Sequence, residues 1–458
     1  MAQKENKLGT EPIGRLLAKM ALPAVAAQLI NMLYNMVDRI YIGHIPGEGA
    51  DALTGMGVCM PIIMIVSAFA MLVGAGGAPR ASIFMGKKDN ESAEKILGNC
   101  VTTQLIISIL LTTALLIWGR PMLMAFGASE NTIGYAAAYL NIYALGTIFV
   151  QFTLGLNTFI TGQGFSRTGM LSVLIGAICN IILDPIFIFV FKMGVRGVAL
   201  ATILSQAVSC TWVVSFLFGK KTYLKIRPQN MLLNPKIILP CMALGLATFI
   251  MQASESVISV CFNTSLRGYG GDVAVGTMTI LTSVMQFALL PLQGLGQGAQ
   301  PIISYNYGAR NVVRVKRTYF LLLGLSMLYS TLLWGGLMLF PTAFARIFTP
   351  DIALINFAGP AIHCYFAFLF LFGAQMACQM TFTSLGNAKS SIAVAVTRKF
   401  VLLLPLIYLL PRIFPQNQTM AVYLAEPCAD LLAVTFTCIL FTIQFRKALK
   451  RMALDKTE

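Results

Sequence analysis

Twelve apolar stretches separated by short polar segments leave this chain few structures to choose from. They run over about 20–43, 52–78, 96–118, 132–157, 168–191, 196–218, 237–266, 273–300, 318–340, 352–383, 389–411 and 419–444. Each reaches the roughly 20 helical residues needed to cross a hydrocarbon layer about 30 Å thick. A helix pairs its own backbone N–H and C=O groups, as that layer demands. The expectation is an all-α membrane protein with twelve transmembrane helices, numbered 1 to 12 in chain order. Composition agrees: 57% of residues are hydrophobic and only 11% charged, and the mean hydropathy is +0.77, far above a soluble domain.

The formal charge of +16 would point to a nucleic-acid or acidic partner in a soluble chain, but here the positions of the charges account for it. Lys4, Lys7, Arg15 and Lys19 precede helix 1. Lys87 and Lys88 follow helix 2, Lys220, Lys221, Lys225 and Arg227 follow helix 6, Arg310, Arg314, Lys316 and Arg317 follow helix 8, and Arg446 to Arg451 close the chain. All these segments fall on the N-terminal side, which the positive-inside rule makes cytoplasmic. Both termini are then expected inside, and no nucleic-acid partner is needed. Lys192 with Arg196 is the mild exception. Ala24-Val25-Ala26 lacks an adequate apolar region before it, so helix 1 is expected to stay attached. The ten cysteines show no metal or C-x-x-C spacing and read as small buried hydrophobes. Gly86-Lys87-Lys88 lacks the upstream glycine and the Ser/Thr of a phosphate-binding loop.

One offset, 222 residues, pairs Gly76 with Gly298, Pro79 with Pro301, Ser82 with Ser304 and Gly86 with Gly308. It also pairs Tyr143 with Tyr365, Thr161 with Thr383, Gly164 with Gly386 and Arg167 with Lys389. Six helices per half keep both halves in the same orientation, so the two six-helix bundles are related by a pseudo-two-fold axis along the membrane normal. The expected division is an N-terminal lobe over 1–218, a basic cytoplasmic linker over 219–236 and a C-terminal lobe over 237–458. Transporters built this way hold substrate between the lobes and rock one against the other.

Charges at a helix centre cost about 2.5–3.5 kcal/mol each on insertion scales and default to function or pairing. At 1.5 Å per residue, Asp38, Asp184 and Thr202 all lie roughly 8–10 Å below the outer interface. Asn180 sits one turn before Asp184 on the same face. Pro185 lacks an N–H, so the carbonyl of Ile181 loses its helical donor. Such oxygen groups suit a proton or a small hard cation. The alternative is packing, with Asp184 bonded to Asn180 and Asp38 paired with Arg39.

Helix 1 carries a polar stripe, Gln28, Asn31, Asn35 and Asp38, and helix 7 repeats it with Gln252, Glu255, Ser259 and Asn263. Stripes on repeat-equivalent helices favour a central substrate cavity, while hydrogen bonding between packed helices uses the same residue types. Met32, Met36 and Met285 are candidates for adaptable lining. The second half has no counterpart of Asp184, since the offset places Leu406 there. It holds Arg398 and Lys399 on helix 11 and Glu426 and Asp430 on helix 12, and ion pairing is expected for Arg398, Lys399 and Asp430. Glu255 is a candidate for substrate contact or a second proton site. His363 is expected to be structural.

Leu22-Pro23 through Val37-Asp38, Asn180-Ile-Ile-Leu-Asp-Pro185, Gly194-Val-Arg-Gly-Val-Ala199 and Gln300-Pro-Ile-Ile-Ser-Tyr-Asn-Tyr-Gly308 fall in order along the chain. In this the sequence resembles the multidrug and toxic compound extrusion (MATE) family, particularly its MepA-like bacterial members, over essentially its whole length. The resemblance implies a non-enzymatic antiporter of the bacterial cytoplasmic membrane that exports cationic amphiphilic drugs in exchange for H+ or Na+. It implies coupling-ion ligands, for H+ or Na+, at Asp38, Asn180, Asp184 and Thr202. Glu255 matches an acid of another branch, which also uses an acid on helix 10. None stands between Ile352 and Thr383, so a complete cation site in the second lobe is not implied. Substrate, membrane lipid and a monomeric state are the expected associations, with no cofactor beyond the coupling ion. A lipid-linked oligosaccharide flippase of the same superfamily is the second reading.

Overall fold

The structure, a computed structural model, describes residues 6–348 and 350–454, leaving out the side chain of Ala50. Lys4 lies outside the described residues. Among these residues there is helix and no strand. Nine helices are long and apolar enough to span a bilayer, and two more spans are each built from two helices meeting at a bend. The 74-residue helix Pro235–Gly308 leaves helical geometry at Gly271, with φ 64° and ψ −155°, and so supplies two spans. Twelve spans follow, as the hydropathy pattern predicts.

We label them α1 (Ile13–Gly43), α2 (Gly49–Gly86), α3 (Asn90–Ala125), α4 (Ile133–Leu145 and Thr147–Gly162), α5 (Ser166–Pro185 and the π-turn Ile186–Val190) and α6 (Val195–Phe218). The second half gives α7 (235–270), α8 (272–308), α9 (Val312–Leu339), α10 (Ile352–Tyr365 and Phe372–Ser384), α11 (Ala388–Val396, Thr397–Leu403, Leu404–Ile413) and α12 (Gln418–Leu454). Several helices outrun their apolar windows because polar caps start them outside the hydrocarbon. Asp89 accepts from Ser92 N, Asn234 from Lys236 N, Asn311 from Arg314 N and Asn387 from Ser390 N, each satisfying an otherwise orphaned donor.

The 222-residue offset reappears as shared geometry. Ser82 Oγ donates to Gly162 O at 2.7 Å, and Ser304 Oγ to Ser384 O at 2.8 Å. The left-handed residues before the α3 and α9 caps, Lys88 and Arg310, are a repeat pair, as are Gly164 and Gly386. Across the pseudo-two-fold axis α2 and α8 meet backbone to backbone. A Cβ on Gly86 would overlap Tyr305 O, and one on Gly308 would overlap Ile83 O. Only glycine allows that approach.

Bends in α4 and α10, of 59° and 48°, were not expected from the hydropathy pattern. The carbonyls they release are taken by the preceding helix. Thr112 Oγ1 donates to Ala144 O at 2.9 Å, and its repeat partner Trp334 donates Nε1–H to Ala367 O at 3.0 Å.

Leu110, Phe320, Leu332 and Ile439 are each more than half exposed on the outside of the bundles, a surface that requires lipid. The inner ends of α1 and α7 each pack on the opposite lobe. Leu16, Leu17 and Met20 join a core with Ile302, Tyr319 and Phe441, while Ile238 and Cys241 join one with Leu97, Phe159 and Val213.

Candidate functional site

Contacts between the lobes gather at the end that carries the termini. Gln28 Nε2 donates to Gln297 Oε1 at 3.2 Å, and Phe69 and Phe249 meet edge to face at 4.9 Å. Glycines at 76 and 245 on one crossing, and at 294 and 298 on the other, admit the opposing backbone. Below them the segment before α1 is sealed: Leu8 O accepts from Asn306 Nδ2 at 2.9 Å and Arg314 Nη2 at 3.0 Å, and Glu11 O accepts from Arg314 Nη2 at 2.8 Å. Toward the far end the facing stripes become exposed. Asn35, Glu255, Ser259 and Asn263 are open, while Gln28, Asn31 and Gln252 are half-buried deeper down. A cleft therefore opens between the lobes at the end opposite the termini. Asn35 turns its amide back onto Asn31 O at 2.7 Å, and Gln252 keeps a buried, unpartnered Oε1. Of the candidate methionines, Met36 is 46% exposed, whereas Met285 lies in the second-lobe core. The lining role expected for Met285 therefore does not hold.

Beside this cleft, inside the first lobe, α1 and α5 bring Asp38, Asn180 and Asp184 together in full burial. Asn180 Nδ2 reaches Asp184 Oδ1 at 3.5 Å, and the carboxyls of Asp38 and Asp184 meet at hydrogen-bonding distance. Asp38 Oδ1, Asp184 Oδ2 and Asn180 Oδ1 have no donor. Arg39, on the exposed side of α1, is not the partner of Asp38. Two apposed carboxyl groups in apolar surroundings are compatible only with a proton or a cation between them. Thr202 on α6 stands one step away, donating to Val198 O at 2.9 Å and meeting the phenol of Tyr139.

Tyr139 on α4 is buried beside Asp38 and stacks on Tyr143 with ring centroids 6.1 Å apart. Reading spans for charge overlooks it, because a phenol in an apolar helix looks like packing. The repeat held a usable signal. Tyr365, the partner of Tyr143, lies buried beside the acids of the second lobe.

Those acids are paired. Arg398 Nη2 meets Asp430 Oδ1 at 2.7 Å and Glu426 Oε1 at 2.9 Å, and the guanidinium lies 4.9 Å over the Phe372 ring. Lys399 Nζ reaches Glu255 Oε1 on α7 at 2.5 Å. The π-turn Thr397–Leu403 carries both bases. Its wider turn lets consecutive side chains face one side, as in other functional π-bulges. His363 is structural as expected, its Nε2 bonded to Met338 O at 2.9 Å.

Two like lobes of six helices around a cleft, each with a buried polar centre, define a polytopic membrane protein built from two repeats. The MatE family model matches twice, at residues 23–186 and 247–409, once in each half. The chain belongs to the MatE family. A relative, the multidrug export protein MepA of Staphylococcus haemolyticus, is 26% identical over 298 residues, a match that spans 65% of either chain. Among solved structures, a MATE crystal structure in the bent conformation superposes with a TM-score of 0.92 at 22% identity, covering 99% of this chain and 100% of the other. A MOP superfamily transporter from Pyrococcus furiosus, described as having a binding pocket of reverse polarity, gives 0.88 at 23% identity, covering 98% and 99%.

Proposed function

We propose that this chain is a secondary antiporter that exports organic cations across the bacterial cytoplasmic membrane in exchange for H+ or Na+. The observation that carries this reading is the sealed Asp38–Asp184 pair with Asn180, placed beside a cleft between two lobes of like fold. Such a pair takes up one proton or one hard cation, and its loading is coupled to lobe movement through α1, which also lines the cleft with Gln28, Asn31 and Asn35. Thr202 supplies a further oxygen for Na+. The multidrug export activity named for the Staphylococcus relative supports drugs as cargo, and the acid Glu255 in the cleft supports cationic ones. A flippase for anionic lipid-linked sugars would use free cations in the cleft, whereas Arg398 and Lys399 both hold acids. The exporter works as a monomer in lipid, with no cofactor beyond the coupling ion and no nucleic acid.

The basic end, by the positive-inside rule, faces the cytoplasm, so the cleft faces outward. Reconstituted into proteoliposomes, the protein is expected to move a fluorescent organic cation against an imposed H+ or Na+ gradient. Transport indifferent to both gradients would sink the antiport reading, and response to one alone identifies the coupling ion.

Rocking can be tested with native thiols. Cys100 on α3 and Cys241 on α7 meet across the lobe interface, on the closed side. Oxidative cross-linking is expected to join them and stop export, with Cys100→Ser insensitive. Full export by cross-linked protein would rule out separation of the lobes at this point.

A further inference from the structure

The second lobe holds its charges in two unequal parts. Arg398, Glu426 and Asp430 form a sealed triad, with side chains 5–7% exposed and the guanidinium pinned over Phe372. Counted at full ionisation, the triad carries one negative charge in excess. The pair beside it is neutral but lopsided. Lys399 is 4% exposed, on the lobe's interior side, whereas Glu255 is 52% exposed and opens into the cleft. Lys399 also lies within electrostatic reach of Glu426. Its ammonium therefore has two homes, the cleft acid and the triad.

We propose that Lys399 is a built-in competitor for the cation site at Glu255, leaving it for the Glu426–Asp430 side when a monovalent organic cation enters the cleft. Charge counting favours the exchange. With Lys399 on Glu255, the cleft acid is neutralised and the triad keeps its excess charge. With Lys399 on the triad, two bases balance two acids, and Glu255 is free to hold one positive charge from the cleft. The lobe thus becomes neutral by taking one unit of positive charge. A tethered ammonium is a flexible point charge with rotatable donors, suited to moving between carboxylates in a way a planar guanidinium is not. While the cleft is empty, the pair also spares Glu255 from standing unpaired at the edge of an apolar interior.

The inference rests on the reading of the chain as an exporter of organic cations, and it is separable from it by binding without any gradient. The probe is tetraphenylphosphonium, with neutral triphenylphosphine oxide as control, bound at equilibrium to the purified full-length protein in lipid nanodiscs. Removing the competitor in Lys399→Gln is expected to tighten tetraphenylphosphonium binding about ten- to hundredfold, the worth of a charge-assisted hydrogen bond. The neutral probe should not change. Adding Glu255→Gln should abolish the gain. Lys399→Arg keeps the charge and the fold while gripping Glu255 through a planar fork, so it should weaken binding about tenfold. Wild-type affinity in both Lys399 variants, or equal tightening for the neutral probe, overturns the inference while leaving the exporter reading intact. Absence of tetraphenylphosphonium binding in wild type and variants alike overturns both.

Discussion

Asp184→Asn is expected to reduce gradient-driven export to the background of empty vesicles while the protein still inserts and purifies as a monodisperse species. Asparagine keeps the shape of the side chain, and its carbonyl oxygen can still accept from Asn180 Nδ2, which lies 3.5 Å from Asp184 Oδ1. What disappears is the second carboxyl of the pair. Asp38 then faces a neutral amide, and the pocket no longer alternates between a protonated or cation-loaded state and an empty one. Asp38→Asn removes the other half and should have the same effect. Because one shared proton or cation needs both groups, the double variant should be no worse than either single one, the non-additivity expected of residues acting as a unit. Substrate uptake into everted vesicles, with thermal unfolding of the purified protein as a control, checks the prediction. Normal export by Asp184→Asn would remove the pair from the coupling mechanism.

The spans and the repeat were legible in the sequence because both depend on the kind of residue at a position, not on its neighbours in space. Proline, glycine and serine matches at one offset turned out to mark shared backbone devices, such as Ser82 on Gly162 and Ser304 on Ser384. The bends in α4 and α10 were not legible. They depend on donors from another helix, Thr112 and Trp334, to take the released carbonyls, and hydropathy carries no information about such partners.

In the candidate site, depth was readable and azimuth was not. A rise of 1.5 Å per residue sets Asp38 and Asp184 at one level, and their shared burial makes them meet. The same rise puts Glu255 and Lys399 near mid-membrane but does not turn them toward each other, since the two residues lie 144 positions apart in the chain. Pairing of Arg398 with acids was foreseeable because buried charge demands it. The division of labour between the two adjacent bases was not, because it depends on the π-turn that carries them. Tyr139 was missed for a third reason: its chemistry becomes visible only when Asp38 and Thr202 are beside it.

Arg398→Leu is expected to be the most destabilising single change in the second lobe. The guanidinium is the shared donor to Glu426 and Asp430, which stand one helical turn apart on α12 with side chains only 6–7% exposed. Leucine fills part of the volume over Phe372 but leaves two buried carboxylates against each other, and breaking a buried pair by removing one partner typically costs about 3–5 kcal/mol. Lys399 offers no full remedy, since moving to the triad would strip Glu255. Much of that cost comes from stranded charge. The triple variant Arg398→Leu, Glu426→Gln, Asp430→Asn should therefore recover most of the lost thermal stability, as neutral replacement of a whole buried set often does. Arg398→Lys should fall between, because an ammonium lacks the planar fork and the ring stacking that hold both acids at once. Thermal unfolding of the four purified proteins in one lipid-detergent mixture measures the order. If the triple variant were as unstable as Arg398→Leu alone, the triad would be holding α11 to α12 by shape, and its excess charge would play no part in stability.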